Sequence, residues 1–270
     1  MPQADGTRKV VRALPELGDF MAFARKSVIF VAASLLALSA ASAADRVVTL
    51  RVPPALKKDL DAMPRIAKPA DRAERRINAA LNRLDVQLIK DVAECKDNDG
   101  KPGEWERSIE VSMHGPGYLS FLIHDNTSCG GAHPNADTSA LVFDLKTGAA
   151  ADWRRVLPPA LTGTMTPDAP GLLSSKRLYD LYVAGYDIRP GASDAPPECK
   201  DAVRAAGASQ PPVMEVWPDA KSGGLAVSFE LPHAVQGVCG EAVTIPIATL
   251  RAEGAKPALL EAIEAAGKTK

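Results

Sequence analysis

The chain has 270 residues, a formal net charge of −1 and 46% hydrophobic residues. A near-neutral chain lacks the broad positive field that holds nucleic acid or an anionic membrane, so neither partner is expected. Its apolar content is enough for a packed core without a metal or cofactor, and none is expected.

The first recognisable segment is Met21-Ala-Phe-Ala-Arg-Lys26, a short basic opening. Residues 27–41 are then almost continuously apolar, with Ile29, Phe30, Val31, Leu35, Leu36 and Leu38, and Ala41-Ser42-Ala43 follows. A basic opening, an apolar run and small residues at alternate positions make a secretory signal peptide, cut after Ala43. An uncleaved anchor is the rival reading. A spanning helix needs roughly 20 apolar residues, and this run is shorter, with charge resuming at Asp45 and Arg46. Residues 1–20 read as an over-extended start, with Met21 as the initiator. Residues 44–270 are expected to form one extracytoplasmic domain, periplasmic or secreted, with no membrane anchor after cleavage.

That portion holds Cys95, Cys129, Cys199 and Cys239. An even count in an oxidising compartment points to disulfides rather than to a reactive thiol or a metal site. Three pairings are formally open.

Residues 47–52 read as a first strand ended by Pro53 and Pro54, and residues 64–69 as an extended segment. Residues 70–93 form the clearest helix. Ile77, Leu81, Leu84, Leu88 and Val92 recur at spacings of three and four, making one apolar stripe. Arg72, Glu74, Arg75 and Arg83 fall off it and are expected in solvent.

Residues 106–125 read as a β-hairpin about Gly115-Pro116-Gly117. With those three as the loop, His114 faces Tyr118, Val111 faces Phe121 and Ile109 faces Ile123. This register puts Ile109, Val111, Met113, Leu119, Phe121 and Ile123 on one face, which a slip of one residue would split. Extended, it sets Trp105 near Thr127 and brings Cys95, at the helix end, towards Cys129. Cys95–Cys129 is favoured for that reason, together with Cys199–Cys239.

Residues 138–144 read as a strand with Leu141 and Phe143 on one side, closed by Lys146-Thr147-Gly148. Trp153-Arg-Arg-Val-Leu157 suggests one helical turn, and residues 158–171 a loop. Helices are expected at 174–186, with Leu178, Leu181 and Tyr182 inward, and at 198–206; residues 187–197 and 207–212 are connectors. Strands are expected at 213–217, 225–231 and 243–247, the first two joined at Ser222-Gly223-Gly224. A polar helix closes the chain at 256–266. Helices among hairpin-linked strands specify an α+β fold, an antiparallel sheet packed against helices and supported by disulfides.

Cys129-Gly130-Gly131-Ala132-His133-Pro134-Asn135, followed by Leu141-Val-Phe-Asp144 and Lys146-Thr-Gly148, resembles the RsiV-like C-terminal domain family (DUF3298). That family's hallmark is a Gly-Gly-Ala-His-x-Asn turn before a strand ending in Asp-x-x-Thr-Gly. Pro64, Ile77-Asn78, Gly224–Phe229, Gly240 and Val243-Thr-Ile-Pro246 resemble its flanking segments, so the likeness spans roughly residues 45–250. The resemblance implies an extracytoplasmic domain. One branch of the family senses lysozyme as part of a membrane-bound anti-sigma factor, and another accompanies cell-wall polysaccharide deacetylases. No sigma-binding segment or anchor is read here, so anti-sigma activity is not carried over. The family's closing Phe-x-Pro-Tyr-Glu stands here as Phe229-Glu-Leu-Pro-His233, without its aromatic and its acid.

His133, in its Gly-rich turn, is the leading single candidate: it either pins the turn or bonds a ligand. Asn135, His233 and Trp105 are the other candidate partner-binding residues. Gly130, Gly131, Ala132, Asp144 and Gly148 are read as structural parts of the motif. His124, Cys129 and His133 fall close together, but a disulfide is the better use of the cysteine than zinc. Asp97-Asn-Asp-Gly100 begins like a calcium loop yet has Lys101 and Ser108 where acids or oxygens are needed, and reads as a turn. No phosphate loop, dinucleotide fingerprint or zinc-protease motif occurs. Two functions follow. One is a binding protein for a muramidase (lysozyme) or an envelope glycan. The alternative is an envelope hydrolase using His133 with Asp125 or Asp144. A purely structural envelope protein is the third reading.

Overall fold

The computed structural model describes residues 45–130, 133–166, 169–189 and 191–268, without the side chains of 165–170 and 233. The expected signal peptide, and Gly131 and Ala132 of the glycine turn, lie outside these residues. Among the described residues the chain forms three antiparallel sheets and seven helices, the α+β architecture expected.

Strands β1 (Leu50–Arg51) and β2 (Arg65–Ile66) pair with each other and lead into helix α1 (Arg72–Glu94). The first strand is shorter than residues 47–52. Asp71 caps α1, its carboxylate accepting from the Glu74 amide at 2.9 Å. Ile77, Leu81 and Leu88 are buried as the stripe requires. Leu84 is not: it is 37% exposed. Four residues beyond Leu81 the inward position falls on Asp85, which accepts from the Met63 amide at 3.0 Å and pairs with Arg65 at 2.5 Å. Glu74, expected in solvent, is fully buried. Its carboxylate takes the Arg46 guanidinium at 2.7 and 2.8 Å and the Ala70 amide at 2.6 Å, and it lies in the first helical turn, where negative charge is favoured.

The next four strands are β3 (Glu104–His114), β4 (Tyr118–Ser128), β5 (Asn135–Asp144) and β6 (Ala149–Ala150), ordered β3-β4-β5-β6. Trp105 faces Thr127, Ile109 faces Ile123 and Val111 faces Phe121, as the hairpin register requires. Beyond Val111 the register shifts, and His114 faces Leu119 rather than Tyr118. This bulge inserts one residue and inverts the alternation. Met113 therefore leaves the face carrying Leu119, Phe121 and Ile123 and enters the opposite core. The Cys95–Cys129 disulfide joins the end of α1 to the end of β4.

A 3-10 turn (Trp153–Arg155) and helix α2 (Pro159–Thr162) precede the second sheet. Its strands are β7 (Thr164–Thr166), β8 (Ala169–Ser174), β9 (Met214–Asp219), β10 (Gly224–Phe229) and β11 (Val243–Pro246), ordered β11-β10-β9-β8-β7. The described residues of the 158–171 stretch are thus not all loop. They hold α2, β7 and the start of β8, elements too short to show a period among prolines and glycines. Helices α3 (Lys176–Ile188) and α4 (Pro197–Ala206) join β8 to β9. Helices α5 (His233–Cys239), α6 (Ile247–Ala252) and α7 (Pro257–Gly267) follow β10 and β11. The terminal helix is not polar: it buries Leu259, Leu260, Ala262 and Ile263. Cys199–Cys239 ties α4 to α5. None of these helices is long and apolar enough to cross a membrane.

Two cores follow from this order. On one face of the first sheet, α1 and the β1–β2 segment pack over Leu119, Phe121, Ile123 and Phe143. The other face, with Met113, Tyr118 and Val142, shares a core with the second sheet, whose strand β9 runs against β3, β4 and β5. Cross-strand pairs set the faces of that second sheet. Glu215 lies opposite Ser228 and Trp217 opposite Ala226, whereas Met214 opposes Phe229 and Val216 opposes Val227. Phe229 meets the Tyr179 and Tyr182 rings of α3, so the Glu215 set faces the first sheet. The α3 hydroxyls are satisfied on the backbone of the disulfide region, Tyr182 on Glu241 and Tyr186 on Cys239.

Candidate functional site

Where β4 and β5 face β9, β10 and α5, they leave a cleft of about 760 Å³. That is within the ordinary range for a ligand site. One wall is Leu122, His124 and the Asn135–Thr138 stretch of β5. The other carries Val213, Glu215, Trp217, Ser228 and Glu230, with Gln236 of α5 at its side. Asp137, Glu215 and Glu230 are acidic, and no lysine or arginine is among the described residues that line the cleft.

Among the lining residues Glu215 has the most altered chemistry. It projects from the start of β9 towards β5, where one carboxylate oxygen accepts the Ala140 amide at 2.9 Å. Burial raises its pKa, the Ala140 hydrogen bond opposes this, and the nearby Asp137 charge raises it further, to about 7. Near neutrality Glu215 therefore exchanges a proton. Protonated, it donates a hydrogen bond; ionised, it attracts a cation or accepts from a hydroxyl. Beside it His124 Nδ1 lies 3.0 Å from Thr138 Oγ1.

Of the residues singled out from sequence, Asn135 lines this cleft. His133 is exposed just before β5 and is not among the lining residues. His233 opens α5, three residues before Gln236. Trp105 is half-buried on β3, and its indole nitrogen donates to Asp125 at 2.8 Å. The same carboxylate takes Arg107 at 2.7 and 2.6 Å. Gly130 has φ +88°, and a Cβ there would sit 3.1 Å from the Lys96 carbonyl. Asp144 accepts the amides of Lys146 and Thr147, and its carbonyl takes the Gly148 amide at 2.8 Å. Gly148, at φ +69°, lies directly against the backbone of Ala73, so the Asp-x-x-Thr-Gly turn seats the start of α1. Asn78 clamps β2 by accepting the Ile66 amide and donating to the Ile66 carbonyl, both at 2.9 Å. Asp97 accepts the amides of Asp99 and Lys101, closing a turn. Among the described residues no group of three or more His, Cys, Asp or Glu side chains is placed to hold a metal.

Sequence reasoning missed Glu215. Its one signal is a lone charge inside the apolar run Val213-Met-Glu-Val-Trp217.

No family model and no curated protein matches the sequence. Among solved structures the chain is similar to a DUF3298 family protein from Pseudomonas aeruginosa PAO1, with a TM-score of 0.49 and 10% identity over 80% of this chain and 94% of that one. It is also similar to a DUF3298 family member from Bacteroides fragilis NCTC 9343, with a TM-score of 0.43 and 14% identity over 71% of this chain and 68% of that one. Both are described as members of the family that the Cys129–Asn135 and Asp144–Gly148 motifs resemble.

Proposed function

We propose that this chain is an exported binding protein of the cell envelope, and that it takes its partner, a muramidase or an envelope glycan, in the cleft between the two sheets. The observation that carries the reading is the lining itself: carboxylates, Asn135, Thr138 and Gln236 set among apolar groups at the junction of two rigid sheets. Such a wall offers acceptors to hydroxyl and amide donors. Two disulfides fit an oxidising compartment. The test is retention of the mature domain, disulfides intact, on immobilised lysozyme and on isolated peptidoglycan. Saturable retention on either, lost when Ser228→Trp fills the cleft, is expected. Retention on neither would remove the reading.

A second reading is an envelope hydrolase centred on Glu215, because a carboxyl titrating at about 7 suits a general acid or base. Glu215 takes the place of His133 with Asp125 or Asp144. Asp125 is held by Trp105 and Arg107, and Asp144 by backbone amides. Release of soluble fragments from peptidoglycan, abolished by Glu215→Gln, would favour it. Absence of turnover by the wild-type chain would end it.

A further inference from the structure

We infer that the open edge of β5, residues 135–139, receives an extended, positively charged peptide segment of a partner protein, which adds to the first sheet as a further strand. The inference rests on the cleft-binding reading and narrows its partner to a protein segment. In an antiparallel strand, alternate residues turn both amide and carbonyl to the same side. The Ala140 amide reaches Glu215 and the Val142 carbonyl takes the Ala151 amide, so the even-numbered residues of β5 point away from β4. β6 covers that side only at Phe143 and Asp144. Among the described residues Ala136 and Thr138 thus turn unpaired backbone groups outward, and both line the cleft.

Sheet edges of this kind are normally blunted by charge or covered by chain. The opposite edge of the sheet follows that rule. Outer strand β3 carries exposed Glu104, Glu106 and Glu110, and the 59–61 segment bonds to Arg107 across it. On β5 the outward residues are small or neutral, Ala136 and Thr138. What surrounds them is acidic: Asp137, Glu215 and Glu230, with His124 the one imidazole and no lysine or arginine among the described residues of the lining. The edge supplies the hydrogen bonds of strand addition, and the carboxylates select a cationic side chain. Glu215 fills the edge position at Ala140 and marks where the added strand ends. Val213, 52% exposed on the facing wall, offers apolar contact to its alternate side chains.

The probes are two synthetic decapeptides, alternating Lys-Thr and alternating Glu-Thr, titrated into the mature chain with disulfides intact. The expected result is saturable binding of the lysine peptide alone, slowed amide exchange at Ala136 and Thr138, and weakening with added salt. Ala136→Pro removes one outward donor without touching the β4 ladder, so it should fold with an unchanged melting temperature and bind about tenfold or more weakly. Thr138→Pro is the second edge variant, and Glu215→Gln, which keeps an acceptor for Ala140, should also weaken binding. Equal binding of the acidic peptide, unprotected edge amides, or full binding by folded Ala136→Pro would overturn the inference. Retention on peptidoglycan with the lysine peptide ignored would overturn strand addition alone and leave the cleft reading standing. Binding of neither peptide, lysozyme nor peptidoglycan would overturn both.

Discussion

Replacing Glu215 by glutamine should make the protein more stable at alkaline pH and leave it unchanged in acid. In the unfolded chain the carboxyl keeps its ordinary pKa of 4.5, while in the folded chain burial lifts it to about 7. Between those values the folded state binds the proton more tightly, so stability is fullest below about pH 4.5 and falls as pH rises to about 7. At about 1.4 kcal/mol for each unit of pKa, the full difference would be about 3 kcal/mol. Glu215 is only half-buried, and solvent screening brings the expectation to about 1–2 kcal/mol. Glutamine can still accept the Ala140 amide, so the substitution removes the charge and keeps the link between sheets. The assay is urea unfolding followed by tryptophan fluorescence, disulfides intact, in steps from about pH 4 to about pH 8. With equal slopes, the variant should gain on the wild type steadily across that interval. A difference that does not change with pH, or that grows towards acid, would refute a desolvated carboxyl at this position.

Each disulfide closes a sequence separation of 34 or 40 residues, and replacing either pair by serine should cost about 3–4 kcal/mol in urea unfolding; an unchanged midpoint would contradict the pairing. Asp85→Ala strands the nearly buried Arg65 guanidinium and the Met63 amide, and should cost about 3–4 kcal/mol. Arg65→Met combined with Asp85→Leu should recover the part due to the stranded guanidinium and not the part due to the Met63 amide, and a double-mutant cycle checks it. Gly148→Ala would press a Cβ to 2.3 Å from the Ala73 carbonyl oxygen at a positive φ, and should cost more than about 2 kcal/mol by thermal or urea unfolding.

The elements legible in sequence are those whose period is long enough to count. The stripe of Ile77, Leu81 and Leu88 gives α1, and the alternation about Gly115-Pro116-Gly117 gives β3, β4 and their register as far as Val111. The bulge beyond Val111 was invisible because Met113 is apolar and suits either core. Leu84, whose inward place Asp85 takes, and Glu74 were misplaced for a related reason. A charged residue can take an inward helix position when a cation from another segment meets it, and Arg65 and Arg46 are remote in sequence from their partners. The 158–171 stretch hid β7 and the start of β8 because neither strand is longer than three periods of alternation, and each owes its form to pairing, β7 with β8 and β8 with β9.

The site was less legible than the fold because its properties arise from residues that meet only in three dimensions. The glycine motif drew attention to His133, yet the motif residues that can be followed, Asp144, Gly148 and Asn78, hold β2, the β5–β6 turn and the start of α1 together. The motif's contribution to the cleft is Asn135, at the start of the strand whose edge stays open. Glu215 acquires its chemistry from burial, opposed by the Ala140 amide and reinforced by the charge of Asp137, both over seventy residues earlier in the chain. A strand edge is likewise not written in its own residues: residues 138–144 read as one strand among several, and only the structure extends it back to Asn135 and makes β6 two residues long. The proposed docking edge therefore follows from what the described partner elements leave uncovered, and the β5 edge beside Glu215 is where that shortfall coincides with charge.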